Sequence, residues 1–166
     1  KADLIAGGIG GLAVLTNDGS GGFALSSSRG GGSLCVTSAD VNGDGRPDLI
    51  SANAGPDTLT VLTNNGSGGF VLSASPGVGS VPYSVTSADV NGDGKPDLIS
   101  ANRGANTLTV LTNIGSGGFV FASSPGVGSE PFSVTAADVN GDGRVDLVSA
   151  NSGTNTLTVL TNSGGA

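Results

Sequence analysis

Short runs of apolar residues, each bounded by Gly, Asn, Asp, Ser or Pro, are the dominant pattern along the chain. No stretch repeats its apolar positions with a helical period, so the pattern does not favour helices. Short β-branched and aliphatic runs between turn residues are typical of β-strands. In the clearest segment the pattern predicts four strands, at Cys35 to Asp40, Asp48 to Asn53, Thr58 to Thr63 and Phe70 to Ser75.

The pattern also repeats. The string DVNGDG begins at positions 40, 89 and 138, and the residues around it recur with the same spacing of 49 residues. A fixed period of this size is typical of propeller blades or of a solenoid. The predicted fold class is all-β, with β-propeller-type blades of four antiparallel strands and about three and a half blades in this chain. We place a partial blade without its first strand at 1–33, complete blades at 34–82 and 83–131, and a partial blade without its last strand at 132–166.

Both partial blades follow from aligning the ends of the chain with the repeat. Lys1 to Asp3 align with Arg46 to Asp48, and the last copy stops before its fourth strand. Closed propellers typically have about four to eight blades. We therefore expect the chain to be a piece of a longer array, part of an oligomer or a link in a polymer, with any targeting signal outside it.

The composition argues against an enzyme. The chain has no His and no Trp, and its single cysteine, Cys35, is replaced by Ser84 and Ser133 in the next two repeats. Nucleophilic catalysis needs a thiol or hydroxyl activated by an adjacent base, and the sequence offers no such pair. Three acidic residues outside the repeated loops are predicted to lie in turns or on the surface: Asp18, Asp57 and Glu130. We therefore expect a binding or structural module.

The negative charge is concentrated in a few places. The net charge is −7, and nine of the thirteen acidic residues lie in three short loops, with Asp3 in the remnant of a fourth. Carboxylates gathered this closely repel one another unless a cation neutralises them. Three bound divalent ions would leave a net charge of −1. The same acidity makes nucleic acid an unsuitable partner.

Each loop carries oxygen donors at alternate positions. The segments are DVNGDGRPD at 40–48, DVNGDGKPD at 89–97 and DVNGDGRVD at 138–146. Calcium prefers six to eight hard oxygen ligands in a flexible geometry, and positions 1, 3, 5 and 9 with the carbonyl of position 7 supply them. We therefore predict three complete Ca²⁺ sites and one partial site. Their side-chain ligands are Asp40, Asn42, Asp44 and Asp48; Asp89, Asn91, Asp93 and Asp97; Asp138, Asn140, Asp142 and Asp146; and Asp3 in the partial site, while Arg46, Lys95 and Arg144 contribute their backbone carbonyls.

Other interpretations of the loops are weaker. Magnesium prefers a stricter octahedron and retains water, and zinc is disfavoured because His is absent and Cys35 lies outside the loops. An EF-hand needs a bidentate Glu at position 12, where these loops have Ser51, Ser100 and Ser149. The string NGDG is also a good turn sequence in its own right, whose side chains bond their own backbone. Three identical copies with four donors each favour the cation.

A DxNGDGxxDL loop in a unit of about fifty residues, followed by GGF at the entry to the last strand, resembles the FG-GAP or VCBS repeat family. The resemblance covers essentially the whole chain. It implies integrin-α-like propellers in which calcium pins a hairpin at the edge of each blade. Proteins with such repeats include extracellular adhesins, lectins and large bacterial surface proteins, so the resemblance implies an extracellular or cell-surface location.

We expect an adhesive or structural scaffold role, because near-identical repeats with few charges outside the loops suit stacked arrays. Unfinished sheets at both ends would allow self-association, possible head-to-tail assembly into a fibre, or contact with neighbouring repeats. No membrane span is expected, because no run of about 18 apolar residues occurs. The alternative is a carbohydrate-binding lectin with a protein or glycan ligand. Its aromatic candidates hold repeat-locked positions, which favours core packing instead: Phe23, Phe70, Tyr83, Phe119 and Phe132.

Overall fold

The computed structural model describes residues 3–8, 10–29 and 32–164, and these residues form strands and turns with no helix. No helix that could cross a membrane therefore occurs in the described part of the chain. The four strands predicted between Cys35 and Ser75, in the second repeat, are confirmed, with ends displaced by at most two residues. The fourteen strands are β1 Leu4–Gly8, β2 Gly11–Asn17, β3 Phe23–Arg29, β4 Ser33–Ala39, β5 Asp48–Asn53, β6 Thr58–Asn64, β7 Phe70–Ala74, β8 Pro82–Ala88, β9 Asp97–Asn102, β10 Thr107–Gly115, β11 Gly118–Ser123, β12 Pro131–Ala137, β13 Asp146–Asn151 and β14 Thr156–Leu160.

The strands form four antiparallel sheets. The sheets are β1-β2-β3, β4-β5-β6-β7, β8-β9-β10-β11 and β12-β13-β14, and each strand pairs with its neighbours in sequence. Extensive contacts join each sheet to the next one along the chain, and no such extensive contact joins the fourth sheet to the first within the described residues. The all-β fold class with propeller-type blades is confirmed, as a row of sheets and not as a closed ring.

Apolar residues fill the space between successive sheets. Ile50 and Val61 of the second sheet pack in one cluster with Val85, Leu98 and Leu111 of the third. The same arrangement recurs between the third and fourth sheets and between the first and second. Because a middle sheet is covered on both faces, all six residues of β5 and all six of β9 are buried. This is why burial does not alternate along these strands, although three of the six residues in each are polar.

A polar network joins the second and third strands of the second, third and fourth sheets. In the third sheet Asn102 is fully buried, accepts a bond from Ser100 Oγ at 2.8 Å, and donates to the Oγ1 atoms of Thr107 and Thr109 at 3.1 and 2.8 Å. Equivalent bonds are made by Asn53 and Asn151. No buried side-chain polar atom among the described residues lacks a partner. The network therefore offsets the cost of burying amides and hydroxyls.

The expectation that the five aromatic candidates pack in the core is wrong for two of them. Phe70 and Phe119 do pack against the core, but Phe23 is 42% exposed and Phe132 is 52% exposed. Phe132 occupies a β-bulge, where the register skips from Pro131 to Ser133. A bulged residue has no partner across the ladder. Its ring lies instead against Tyr83, with centroids 4.7 Å apart, and its outer side has no further sheet packed on it in the described residues.

The acidic residues outside the repeated loops hold turns and connections. The backbone N–H of Ser20 donates to Asp18 Oδ1 at 2.7 Å and lowers the pKa of that carboxyl. Asp57 accepts a bond from the Val81 backbone, and Glu130 forms an ion pair with Arg103 at 2.7 Å. Their positions agree with the predicted turn and surface roles.

Candidate metal centres

The three acidic loops join the first and second strands of their sheets, and each is wound around the carboxylate at its first position. In the first loop Asp40 accepts backbone N–H bonds from Gly43, Asp44 and Gly45 at 2.7 to 3.1 Å. Asp89 and Asp138 accept the corresponding three bonds in the other loops. The pKa of the Asp138 carboxyl is lowered, first by its bond from the Gly143 backbone. The loop backbone thus favours the ionised form of the Asp138 carboxyl.

Positions 5 and 7 lie at the exposed rim of each loop, and position 3 is exposed in two loops and half-buried in the first. Asn91 Oδ1 accepts a bond from the Asp93 backbone at 2.9 Å, and Asp93 Oδ1 accepts one from the Lys95 backbone at 2.9 Å. The Lys95 ammonium bonds Asp93 Oδ2 at 3.0 Å and lowers the pKa of that carboxyl. The equivalent backbone bonds of the other two loops involve Asn42, Asp44, Arg46, Asn140, Asp142 and Arg144. Exposed ion pairs also join Arg46 to Asp44 and Arg144 to Asp142. Exposed pairs of this kind are weak and readily exchanged.

The ninth position is fully buried. Asp97 accepts one bond from the Val90 backbone at 3.0 Å and another from the Asn113 backbone at 2.8 Å. Burial raises the pKa of the Asp97 carboxyl, although both bonds act in the opposite direction. Asp48 and Asp146 are equally buried and make the same two bonds. This carboxylate therefore ties the loop to the far end of the third strand.

Asp3 repeats part of this arrangement. Its Oδ1 accepts a bond from the Asn17 backbone at 2.8 Å, as the buried aspartates do from their own Asn residues, but Asp3 is exposed. Lys1 and Ala2, which align with the end of the loop, lie outside the described residues.

No group of three or more Asp, Glu, His or Cys side chains among the described residues is gathered closely enough to hold a metal ion. In all three loops the fifth position is exposed, the first and third positions are exposed or half-buried, and the ninth is fully buried. Each carboxylate has about four lone-pair sites, so the internal bonds leave further acceptor capacity at every position. The donor set consists of hard oxygens throughout.

A family model of the FG-GAP-like repeat matches residues 1–51, 40–100 and 89–149. The chain belongs to the FG-GAP-like repeat family. The family predicted from the loop motif is therefore confirmed, and the three matches end 49 residues apart, at the spacing of the loops.

Two solved structures are similar to this FG-GAP-like chain. The Photorhabdus luminescens Tc holotoxin pore is 21% identical with a TM-score of 0.47, over 98% of this chain and 9% of that one. A functionally unknown protein from Desulfotomaculum acetoxidans is 11% identical with a TM-score of 0.48, over 96% of this chain and 65% of that one. The chain thus spans less than two thirds of either protein. No curated protein matches the sequence.

Glycines permit the winding of the FG-GAP-like loops. Gly94, at the sixth position, has a φ of 81°, in the left-handed region where a Cβ is strained. We expect Gly94→Ala to destabilise the protein by roughly 1 to 2 kcal/mol. Gly77 has no neighbour within 4 Å of an added Cβ and no positive φ, so Gly77→Ala is the matched control and stays within about 0.5 kcal/mol. Urea unfolding of both variants measures this difference, and equal midpoints would contradict the strain.

The sequence-based prediction missed one further residue of the site, the Asn at the end of the third strand of a sheet, which bonds the loop of the preceding sheet. Asn113 is 2% exposed, and its Nδ2 donates to the carbonyl oxygen of Val41, in the loop of the preceding sheet, at 2.9 Å. Asn162 makes the equivalent bond to Val90 at 2.8 Å. The signal was available, because a Thr-Asn pair recurs at 63, 112 and 161 with the period of the loops.

Neighbouring FG-GAP-like loops lie side by side. One cleft is lined by Asp40 to Gly43 of the first loop and Gly94 to Pro96 of the second. Another is lined by Asp89 to Gly92 of the second loop and Gly143 to Val145 of the third. Residues of two neighbouring loops therefore line each cleft.

Proposed function

We propose that the chain is a calcium-stabilised extracellular module of FG-GAP-like repeats with an adhesive or structural scaffold role. The observation that carries the proposal is the same wound, oxygen-lined loop at the same place in three successive sheets. Bound calcium would neutralise the carboxylates of a loop and fix its turn. Binding energy of this kind is folding energy, because the unfolded chain has no preformed site.

The first loop illustrates which atoms would hold the ion. The free lone pairs of Asp40 and Asp48, the Oδ atoms of Asn42 and Asp44, and the Arg46 carbonyl are the proposed donors. Arg46 leaves the Asp44 carboxylate when the cation arrives, which costs little because the pair is exposed. Carboxylate and carbonyl oxygens are the ligands that calcium prefers.

A scaffold role draws support from the outer face of the fourth sheet. Leu157 is 71% exposed and Val159 is 50% exposed. The equivalent residues one repeat earlier, Leu108 and Val110, are buried against the fourth sheet. The exposed face thus has the composition that receives another sheet of this repeat. Neighbouring repeats or a second copy of the chain are the proposed partners.

A calcium titration tests the metal part of the proposal. We expect isothermal titration calorimetry of the chelator-treated protein to give three Ca²⁺ ions per chain, one for each complete loop. Asp142→Ala removes a rim carboxylate from the third loop and lowers the expected number to two. Asp18→Ala, which removes an acid outside the loops, leaves it at three. Zero bound ions, or a number unaffected by Asp142→Ala, would contradict the metal sites.

Sedimentation with and without a chelator tests the scaffold part. Assemblies that grow with protein concentration and shorten when Leu157→Ser is introduced support stacking of repeats.

The second candidate function is a lectin, favoured by the exposed ring of Phe132 beside Tyr83. Glycan binding by a monomeric particle, lost in Phe132→Ala, would support the lectin over the scaffold.

A further inference from the structure

A continuous line of hydrogen bonds connects the three loops. Within the third sheet the Val90 backbone N–H donates to Asp97 Oδ2, and the Asn113 backbone N–H donates to Asp97 Oδ1. The Asn113 side chain then crosses to the second sheet and donates to the Val41 carbonyl. Val41 in turn donates its own N–H to Asp48 Oδ2. One buried carboxylate is thus linked to the next through a single asparagine.

The same link recurs one sheet further on. The Asn162 side chain donates to the Val90 carbonyl at 2.8 Å, and its backbone N–H donates to Asp146 at 2.7 Å. Each asparagine also fixes its own hairpin, as Asn113 Oδ1 accepts the Gly115 N–H at 2.9 Å. Asn113 and Asn162 also donate to the carbonyls of Pro96 and Val145, so four hydrogen bonds leave each side-chain amide little freedom to turn away from the preceding loop.

We propose that Asn113 and Asn162 are positioning residues that couple the acidic loop of each sheet to the loop of the preceding sheet. An ordered loop fixes the position of its buried aspartate, and the aspartate fixes the asparagine. The asparagine side chain then fixes the valine carbonyl at the second position of the preceding loop. Coupling of cation affinities rests on the proposed calcium function. Coupling of loop order does not, because the line of bonds consists of protein groups alone.

The second sheet contains a natural comparison. Asn64 has the same place in its hairpin, bonds Asp48 through its backbone, and bonds Gly66 and the Pro47 carbonyl through its side chain. In the described part of the chain its side chain makes no bond to a preceding loop. Asn64→Ala therefore removes the local bonds of this residue type without removing a link between sheets.

The metal-free arm of the test follows amide hydrogen exchange by NMR in the chelator-treated protein. Asn113→Ala speeds exchange at Gly43 and Gly45 of the first loop roughly fivefold, as expected for one lost buried bond. Asn162→Ala does the same at Gly92 and Gly94, and passes only a smaller effect to the first loop through the intact Asn113. This displacement of the effect by one repeat separates coupling from general loss of stability. Unchanged exchange in the preceding loop, in both variants, overturns the proposal.

The cation arm follows the same glycine signals during a Ca²⁺ titration. Asp93→Ala, which disables the second loop, lowers the Ca²⁺ affinity of the first loop roughly fivefold. In the Asn113→Ala background Asp93→Ala no longer changes that affinity, whereas in the Asn64→Ala background the fivefold change persists. Persistence in Asn113→Ala, or loss in Asn64→Ala, overturns the coupling. If no loop binds Ca²⁺, the proposed function fails, and the exchange arm still decides whether the loops are coupled.

Discussion

Calcium at about 10 mM is expected to raise the melting temperature of the chelator-treated protein by roughly 15 to 30 °C. Extracellular calcium modules bind with dissociation constants of about 10⁻⁴ M at the tighter end, so this concentration is roughly 100-fold in excess. Each occupied loop then contributes about 2.7 kcal/mol, and three loops contribute roughly 8 kcal/mol. For a chain of this size 1 kcal/mol corresponds to roughly 2 to 4 °C.

Scanning calorimetry with matched cations checks this result. Magnesium at the same concentration gives a much smaller shift, because it demands a stricter octahedron and keeps its water. The matched variant carries Asp44→Asn, Asp93→Asn and Asp142→Asn, which remove one rim carboxylate from every loop and reduce the calcium shift. A melting temperature that does not respond to calcium would contradict the proposed stabilisation.

The second large effect is expected at the buried ninth position, without any metal. Asp97→Ala leaves the Val90 and Asn113 backbone N–H groups without an acceptor in a fully buried place. Each unsatisfied buried donor costs about 1 to 3 kcal/mol. We therefore expect a loss of about 3 to 5 kcal/mol in the free energy of unfolding, measured by urea denaturation in the presence of a chelator.

The matched control for this variant is Asp93→Ala in the same loop. Asp93 lies at the exposed rim, where its ion pair with Lys95 is weak, so the metal-free loss stays below about 1 kcal/mol. Asp97→Asn retains one acceptor oxygen but turns an N–H₂ toward a backbone donor. Its loss in the free energy of unfolding is therefore expected to lie between those of Asp97→Ala and Asp93→Ala. Equal losses for Asp97→Ala and Asp93→Ala would mean that the ninth position acts only as a cation ligand.

Much of the fold was predictable from the sequence because its signals are local. Turn residues delimit the strands, and a period of 49 residues multiplies each local signal several times. The strands of the second repeat therefore deviate by at most two residues from their predicted ends. The loop motif likewise identified the FG-GAP-like family, because its donors and glycines are spaced within nine residues.

Local signals along the chain were therefore sufficient to predict the family, the strand order and the position of the acidic loops. Tertiary structure alone decided how these parts join. It placed Asn113 against Val41, 72 residues away, buried the Asp97 carboxylate under two backbone donors, and left Phe132 on an outer surface. The reason is that burial and contacts between sheets depend on which face meets which neighbour, and residues distant along the chain meet only once the sheets have packed.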